Sequence, residues 1–298
     1  MSKEEKVVVV GAGQMGLGIA HAFALACPNV VMVDVSAAQL EKAVKTIHDI
    51  LDGGVKLGKV EPATAEAAKG ALTTSQDLAQ AARKATLVVE TATEKLDIKL
   101  DILRTVDDVV ADDAILGTNT SALSITEMAA ATKNPSRVVG IHFFNPVHKM
   151  KLVEIIRGLQ TSEEVVKRVQ DWSARINKDV ITVNESPGFT TSRMSAMLGN
   201  EAMWMLQEGV ATAEDIDKAM RMAFNHPMGP LELGDLTGWD TRLAVIQHLH
   251  ATLGEKFRPC PLILKMVKAG RYGRKVGHGV YKYENGQKVP GSGLKVSV

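Results

Sequence analysis

Residues 7–16 read Val-Val-Val-Val-Gly-Ala-Gly-Gln-Met-Gly. Four β-branched residues in a row suit a strand buried on both faces, where no polar alternation is needed. Gly11, Gly13 and Gly16 stand at the spacing G-x-G-x-x-G, and the Ala-rich stretch 16–26 that follows has a helical composition. A strand that turns through glycines into a helix opens a doubly wound α/β fold. Gly11 permits the tight turn, Gly13 lets the backbone approach a pyrophosphate, and Gly16 lets helix and strand pack closely. With Ala12, Gln14 and Met15 these residues form a loop whose helix N-terminus offers free N–H groups to phosphates. The next apolar run, 30–35, carries Asp34, 18 residues beyond Gly16. Its carboxylate can accept from ribose hydroxyls and would repel a 2′-phosphate, which predicts NAD rather than NADP. On the loop alone a flavin dinucleotide remains open, and the later residues argue against it.

Outward from this start, the pattern repeats. A long helix is predicted over 37–51, and strands over 86–90 (TLVVE), 115–119 (ILGTN), 138–143 (VVGIHF) and 151–156 (KLVEII). Strands alternating with helices mean a mostly parallel sheet covered on both faces. The composition changes at Ser186-Pro187-Gly188, and beyond it no further strand is expected. A Met-, Ala- and Leu-rich segment spans 189–208. Thr212 can cap a helix over 213–224, with Asp215 at its N3 position, and 235–253 and 260–269 look helical. The expected architecture is a Rossmann-type α/β domain, residues 1–186, followed by an all-α domain, residues 187–298.

Composition narrows the function. The chain has 298 residues with 35 basic and 34 acidic side chains, so no nucleic acid or anionic membrane surface is expected as a partner. The first six residues are polar and the apolar run after them is too short for a signal peptide or a membrane span. The two cysteines, Cys27 and Cys260, lie far apart, which fits a reducing cytoplasm. His21 and His48 fall in helical stretches, His226 and His278 in loops, and His248 and His250 do not share a helix face. His148 has no third ligand spaced with His142, so no metal is expected.

His142 ends the strand over 138–143, and Glu154 follows 12 residues later in the next strand. A carboxylate among Leu152, Val153, Ile155 and Ile156 is costly unless it is paired, and His142 is the evident partner. Such a pair is what oxidation of an alcohol needs. A base near neutrality takes the hydroxyl proton as hydride departs, and a carboxylate fixes the imidazole tautomer. Spacing alone leaves a purely structural histidine equally open.

The chain resembles the L-3-hydroxyacyl-CoA dehydrogenase family, and most of all its short-chain 3-hydroxybutyryl-CoA members. The resemblance is carried by GAGQMG at 11–16, TNTSALSI at 118–125, HFFNPVHKMKLVE at 142–154, SPGF at 186–189, NHPMGPLELGDLTG at 225–238 and GRKVGHGVYKY at 273–283. It implies a cytoplasmic NAD-dependent enzyme of fatty-acid metabolism that transfers hydride to or from C3 of an acyl-CoA, and a homodimer formed through the helical domain. It implies His142 as the acid/base and Glu154 as its orienter. Ser121 would bond the substrate oxygen, beside Asn119 and Asn145 near the nicotinamide. Glu94, Lys99 and Lys275 match cofactor-side positions, and Lys56, after the second helix, falls where the family binds CoA phosphates. One departure stands out: Ser192 occupies the place of an asparagine that helps to hold substrate. A dehydrogenase of free hydroxy acids, or a cofactor-binding protein without catalysis, would share the loop. The joint presence of Ser121, His142, Asn145 and Glu154 argues against the latter.

Overall fold

The computed structural model describes residues 5–296, which divide into two compact units between Glu185 and Ser186. The first is built on β1 (Val7–Val10), α1 (Gln14–Ala24), β2 (Val30–Val33), α2 (Ala37–Lys56), α3 (Pro62–Ala71), β3 (Leu72–Ser75) and α4 (Leu78–Ala82). It continues with β4 (Leu87–Glu90), α5 (Leu96–Asp107), β5 (Ile115–Thr118), α6 (Ile125–Ala130), β6 (Val138–Phe143), β7 (Leu152–Arg157), α7 (Glu163–Arg175) and β8 (Asp179–Asn184). The strands lie in one sheet in the order β3-β2-β1-β4-β5-β6-β7-β8. All neighbouring pairs are parallel except β6 and β7, which are antiparallel. Strand order therefore reverses at β1, between β2 and β4. In an open α/β sheet that reversal leaves a crevice at the carboxyl ends of the strands, where ligands bind.

The central strands are buried on both faces, as their unbroken apolar runs require. Val7, Val9, Met32, Leu87, Val89 and Ile115 pack with Ile19 and Phe23 of α1 and Leu40, Ile47 and Leu51 of α2. The strands not foreseen, β3 (LTTS) and β8 (DVITVN), lie at the two sheet edges and are half-exposed. Helix α2 runs past the expected end, through Gly53 and Gly54, so that Lys56 is its last residue rather than a residue beyond it.

The second unit contains α8 (Thr191–Gln207), α9 (Ala213–Phe224), α10 (Pro230–Thr237), α11 (Trp239–Leu253), α12 (Pro261–Lys268) and a short hairpin of β9 (Tyr283–Glu284) and β10 (Gln287–Lys288). The hairpin corrects the expectation that strands end at residue 186. The single helix expected over 235–253 is two helices, because Gly238 at φ +95° stands outside helical space. Thr212 caps α9 as expected, accepting from the Asp215 N–H at 3.2 Å. Of the methionines in α8, Met203 is in the core and Met194 is exposed.

Two fully buried carboxylates organise this unit. Asp217 of α9 accepts the Leu231 and Glu232 N–H groups at 2.8 and 3.0 Å, which caps α10, and the Tyr281 hydroxyl at 2.8 Å. Asp235 accepts from Trp239 Nε1, the Val280 and Tyr281 N–H groups and the Tyr283 hydroxyl, between 2.7 and 3.1 Å. Burial raises both carboxyl pKa values, against the hydrogen bonds that pull them down. The segments 225–238 and 273–283 are thus fastened to each other through Asp235. No helix of the described residues is long and apolar enough to cross a membrane.

Candidate active site

The turn after β1 has the shape that a dinucleotide needs. Gly11 sits at φ +104°, and a Cβ on Gly16 would lie 1.8 Å from the Gly11 carbonyl oxygen, so both glycines are demanded by the chain itself. A Cβ on Gly13 would meet nothing within 4 Å, so packing gives no reason for glycine there. What Gly13 leaves is clear space at the uncapped N-terminus of α1, where a pyrophosphate can approach the N–H groups. Asp34, just beyond β2, accepts the Ala12 N–H at 2.8 Å and the Ser36 N–H at 2.9 Å. It is only partly buried, and each oxygen keeps a further lone pair for a ribose hydroxyl. These residues fit NAD, with Asp34 as the group that would exclude a 2′-phosphate.

The loops after β4, β5 and β6 form a second cluster. The antiparallel register sets His142 of β6 directly opposite Glu154 of β7. His142 Nδ1 lies 2.7 Å from Glu154 Oε2, and Nε2 lies 3.3 Å from Ser121 Oγ. Glu154 is fully buried and His142 is 6% exposed. A carboxylate only accepts, so Nδ1 donates to Glu154 and Nε2 is the nitrogen turned toward Ser121. The Phe144 ring lies 4.7 Å from the imidazole. The Asn119 side chain accepts the Phe143 N–H at 2.9 Å, tying the ends of β5 and β6 together. Asn145 is exposed in the turn beyond β6 and precedes Pro146 in a cis peptide bond.

Ser121 is held from below. Glu94 accepts its N–H at 2.8 Å and the Thr120 hydroxyl at 2.6 Å, so Glu94 is a partner of the serine loop rather than a free surface charge. Lys99 differs more from expectation: it is fully buried and does not line an open face. Its ammonium binds Glu90 at 2.8 and 3.0 Å, with the Asn119 carbonyl at 3.2 Å and Glu94 at 3.8 Å. Glu90 was missed in the sequence. It also accepts the Thr118 hydroxyl at 2.7 Å and the Ala92 N–H at 2.6 Å, so it joins the ends of β4 and β5. Its signal was present, since a carboxylate closing a wholly apolar run needs a buried cation.

Three expected residues remain. Lys56 is exposed at the end of α2. Ser192 is half-buried in the first turn of α8, and Lys275 donates to Asp240 at 2.6 Å; both belong to the second unit. Among the described residues no group of three or more His, Cys, Asp or Glu side chains is arranged to hold a metal ion.

Residues 6–186 match the family described as 3-hydroxyacyl-CoA dehydrogenase, NAD binding domain, and residues 188–283 match the C-terminal domain of the same family. A 3-hydroxybutyryl-CoA dehydrogenase of Bradyrhizobium diazoefficiens is 42% identical over 287 residues, covering 96% of this chain and 98% of that protein. One from Clostridioides difficile is 41% identical over 282 residues, covering 93% and 99%. The crystal structure of (S)-3-hydroxybutyryl-CoA dehydrogenase from Ralstonia eutropha superposes with a TM-score of 0.91 at 44% identity, covering 94% of this chain and 99% of that one.

Proposed function

The chain belongs to the 3-hydroxyacyl-CoA dehydrogenase family, and from that premise we propose that it interconverts a short-chain (3S)-3-hydroxyacyl-CoA and the 3-ketoacyl-CoA, with NAD as the redox partner. The observation that carries the reading is the buried His142–Glu154 pair, whose outward nitrogen faces Ser121. NAD, when bound, supplies the acceptor or donor of hydride at C3. The protein does the rest.

In oxidation, the substrate hydroxyl sits where Ser121 Oγ and His142 Nε2 both reach it. Nε2 takes the proton as the C3 hydride leaves, and the positive ring that results faces the Glu154 carboxylate. In reduction, the imidazolium returns the proton to the developing alkoxide, while the Ser121 hydroxyl donates to the same oxygen. Glu94 and the Glu90–Lys99 pair keep the serine loop in place. Asn119 fixes the end of β6, and Asn145 is assigned to the nicotinamide side of the reacting carbon. Ser192 is assigned to substrate, Lys275 to the cofactor side and Lys56 to the CoA phosphates.

Residues 1–186 are assigned to cofactor binding and catalysis, and 187–298 to substrate contact and dimerisation, in a cytoplasmic enzyme. The exposed apolar side chains of the second unit, including Met194, Leu198, Met222, Phe224 and Leu236, support a homodimer. Light scattering at micromolar concentration tests this, and a monomeric mass refutes it. A steady-state assay with acetoacetyl-CoA and NADH tests the activity. Turnover of free 3-hydroxybutyrate with no turnover of the thioester would replace the substrate assignment.

A further inference from the structure

The turn between β6 and β7 carries a fastening for which the proton and hydride chemistry gives no reason. Lys178, just before β8, donates from Nζ to the Val147 carbonyl at 2.5 Å and to the Met150 carbonyl at 2.6 Å. The turn also closes on itself, with the Lys149 and Met150 N–H groups on the Pro146 carbonyl at 2.9 and 3.1 Å. On its other side lies α1. Val147 is 2% exposed, and a Cβ on Gly18 would come within 2.9 Å of it. The His148 ring meets His21 of α1 edge-on at 6.3 Å. The turn is therefore held between the helix that follows the glycine loop and an ammonium from the sheet edge.

Asn145 lies two residues before Val147 and is itself exposed, so its position is set by the backbone on either side. Upstream, Asn119 holds the Phe143 N–H. Downstream, the ties are the packing of Val147 and the two bonds from Lys178. Hydrogen bonds from a charged donor are stronger than neutral ones, and two of them on one short turn restrict both translation and tilt.

We propose that Lys178 is a positioning residue for the reaction: by gripping the carbonyls of Val147 and Met150 it sets the turn that presents Asn145 to the reacting centre. This rests on the assignment of Asn145 made above. Misplacement of a reacting or positioning group by about 1 Å can cost up to a hundredfold in rate.

The test is a double-mutant cycle with acetoacetyl-CoA and NADH. Lys178→Met keeps the aliphatic stem and removes the donors. It lowers kcat by about tenfold, changes NADH affinity less than kcat because the glycine loop itself is untouched, and is largely rescued by Lys178→Arg. In an Asn145→Ala background, Lys178→Met has no further effect, because the group it places is already gone. Wild-type kcat in folded Lys178→Met, or the full loss repeated in the Asn145→Ala background, overturns the proposal. Wild-type turnover in Asn145→Ala overturns the Asn145 assignment, and this inference with it, and is told apart by that single variant. If Lys178→Met does not fold, Lys178→Gln carries the same cycle.

Discussion

Replacing Glu154 by Gln keeps the shape of the buried pair and removes its charge. In the native protein Nδ1 and Oε2 are 2.7 Å apart, with Glu154 fully buried. With charge centres about 4 Å apart and an effective dielectric of about 20, the carboxylate stabilises the imidazolium by about 4 kcal/mol. A glutamine oxygen still accepts from Nδ1, and that neutral hydrogen bond retains about 1 kcal/mol. The net loss is about 3 kcal/mol for a fully protonated ring. At the barrier the proton is in flight, so about half to all of that loss reaches kcat, about ten- to 150-fold. Stopped-flow or steady-state rates with 3-hydroxybutyryl-CoA and NAD, alongside melting curves, measure the loss. If Glu154 serves only the fold, the variant melts earlier while turnover per folded molecule stays put, and the reasoning fails.

Three further outcomes follow from the same structure. Asp34→Ala removes both the ribose acceptor and the bond to the Ala12 N–H, so NADH affinity falls by about tenfold or more, one charge-assisted bond, and the gap to NADPH narrows; equal wild-type efficiency with the two cofactors refutes it. Ser192→Ala lowers turnover with acetoacetyl-CoA severalfold, on the order of one neutral hydrogen bond, and Ser192→Asn is tolerated; unchanged kcat and KM in the alanine variant ends the assignment. His21 is 6% exposed with Nδ1 unpartnered, and burial, then His148 and Lys178, lower its pKa to about 4. The unfolded chain binds that proton from about pH 6.5 downward and the folded one only near 4. The stability contributed by neutral His21 is therefore complete above 6.5 and lost as pH falls toward 4, by up to about 3 kcal/mol. Melting curves of His21→Gln fall less steeply over that window, and an identical slope counts against it.

The strands that place the site were legible because burial on both faces writes itself as an unbroken apolar run, as in Val7–Val10 and Val30–Val33. The glycine loop and Asp34 were legible because phosphate and ribose impose residue types at fixed spacing. The edge strands β3 and β8 carry no such run, since one side of each faces solvent. Alternation put Glu154 on a defined face, but its position opposite His142 depends on register, which is set by the turn and by pairing on both sides. The burial of Lys99 was not legible because nothing local marks a helical lysine as buried; its partner Glu90 belongs to another element. Gly238 was legible only as a glycine, and its positive φ, which splits the expected helix, is not marked in the local sequence.

The carboxylate of Asp235 has a consequence for the order in which the chain is completed during synthesis. Helices α8 to α10 emerge from the ribosome well before Val280, Tyr281 and Tyr283, the residues that supply three of the four donors to Asp235. Until they arrive, burying that side chain leaves a charge with one partner, Trp239, and its desolvation is uncompensated. The glycine-loop unit meets no such wait, since its sheet is complete once β8 has emerged. The buried bonding of Asp235 therefore ties the packing of α10 to residues 280–283, whereas the sheet of the first unit needs nothing beyond residue 184.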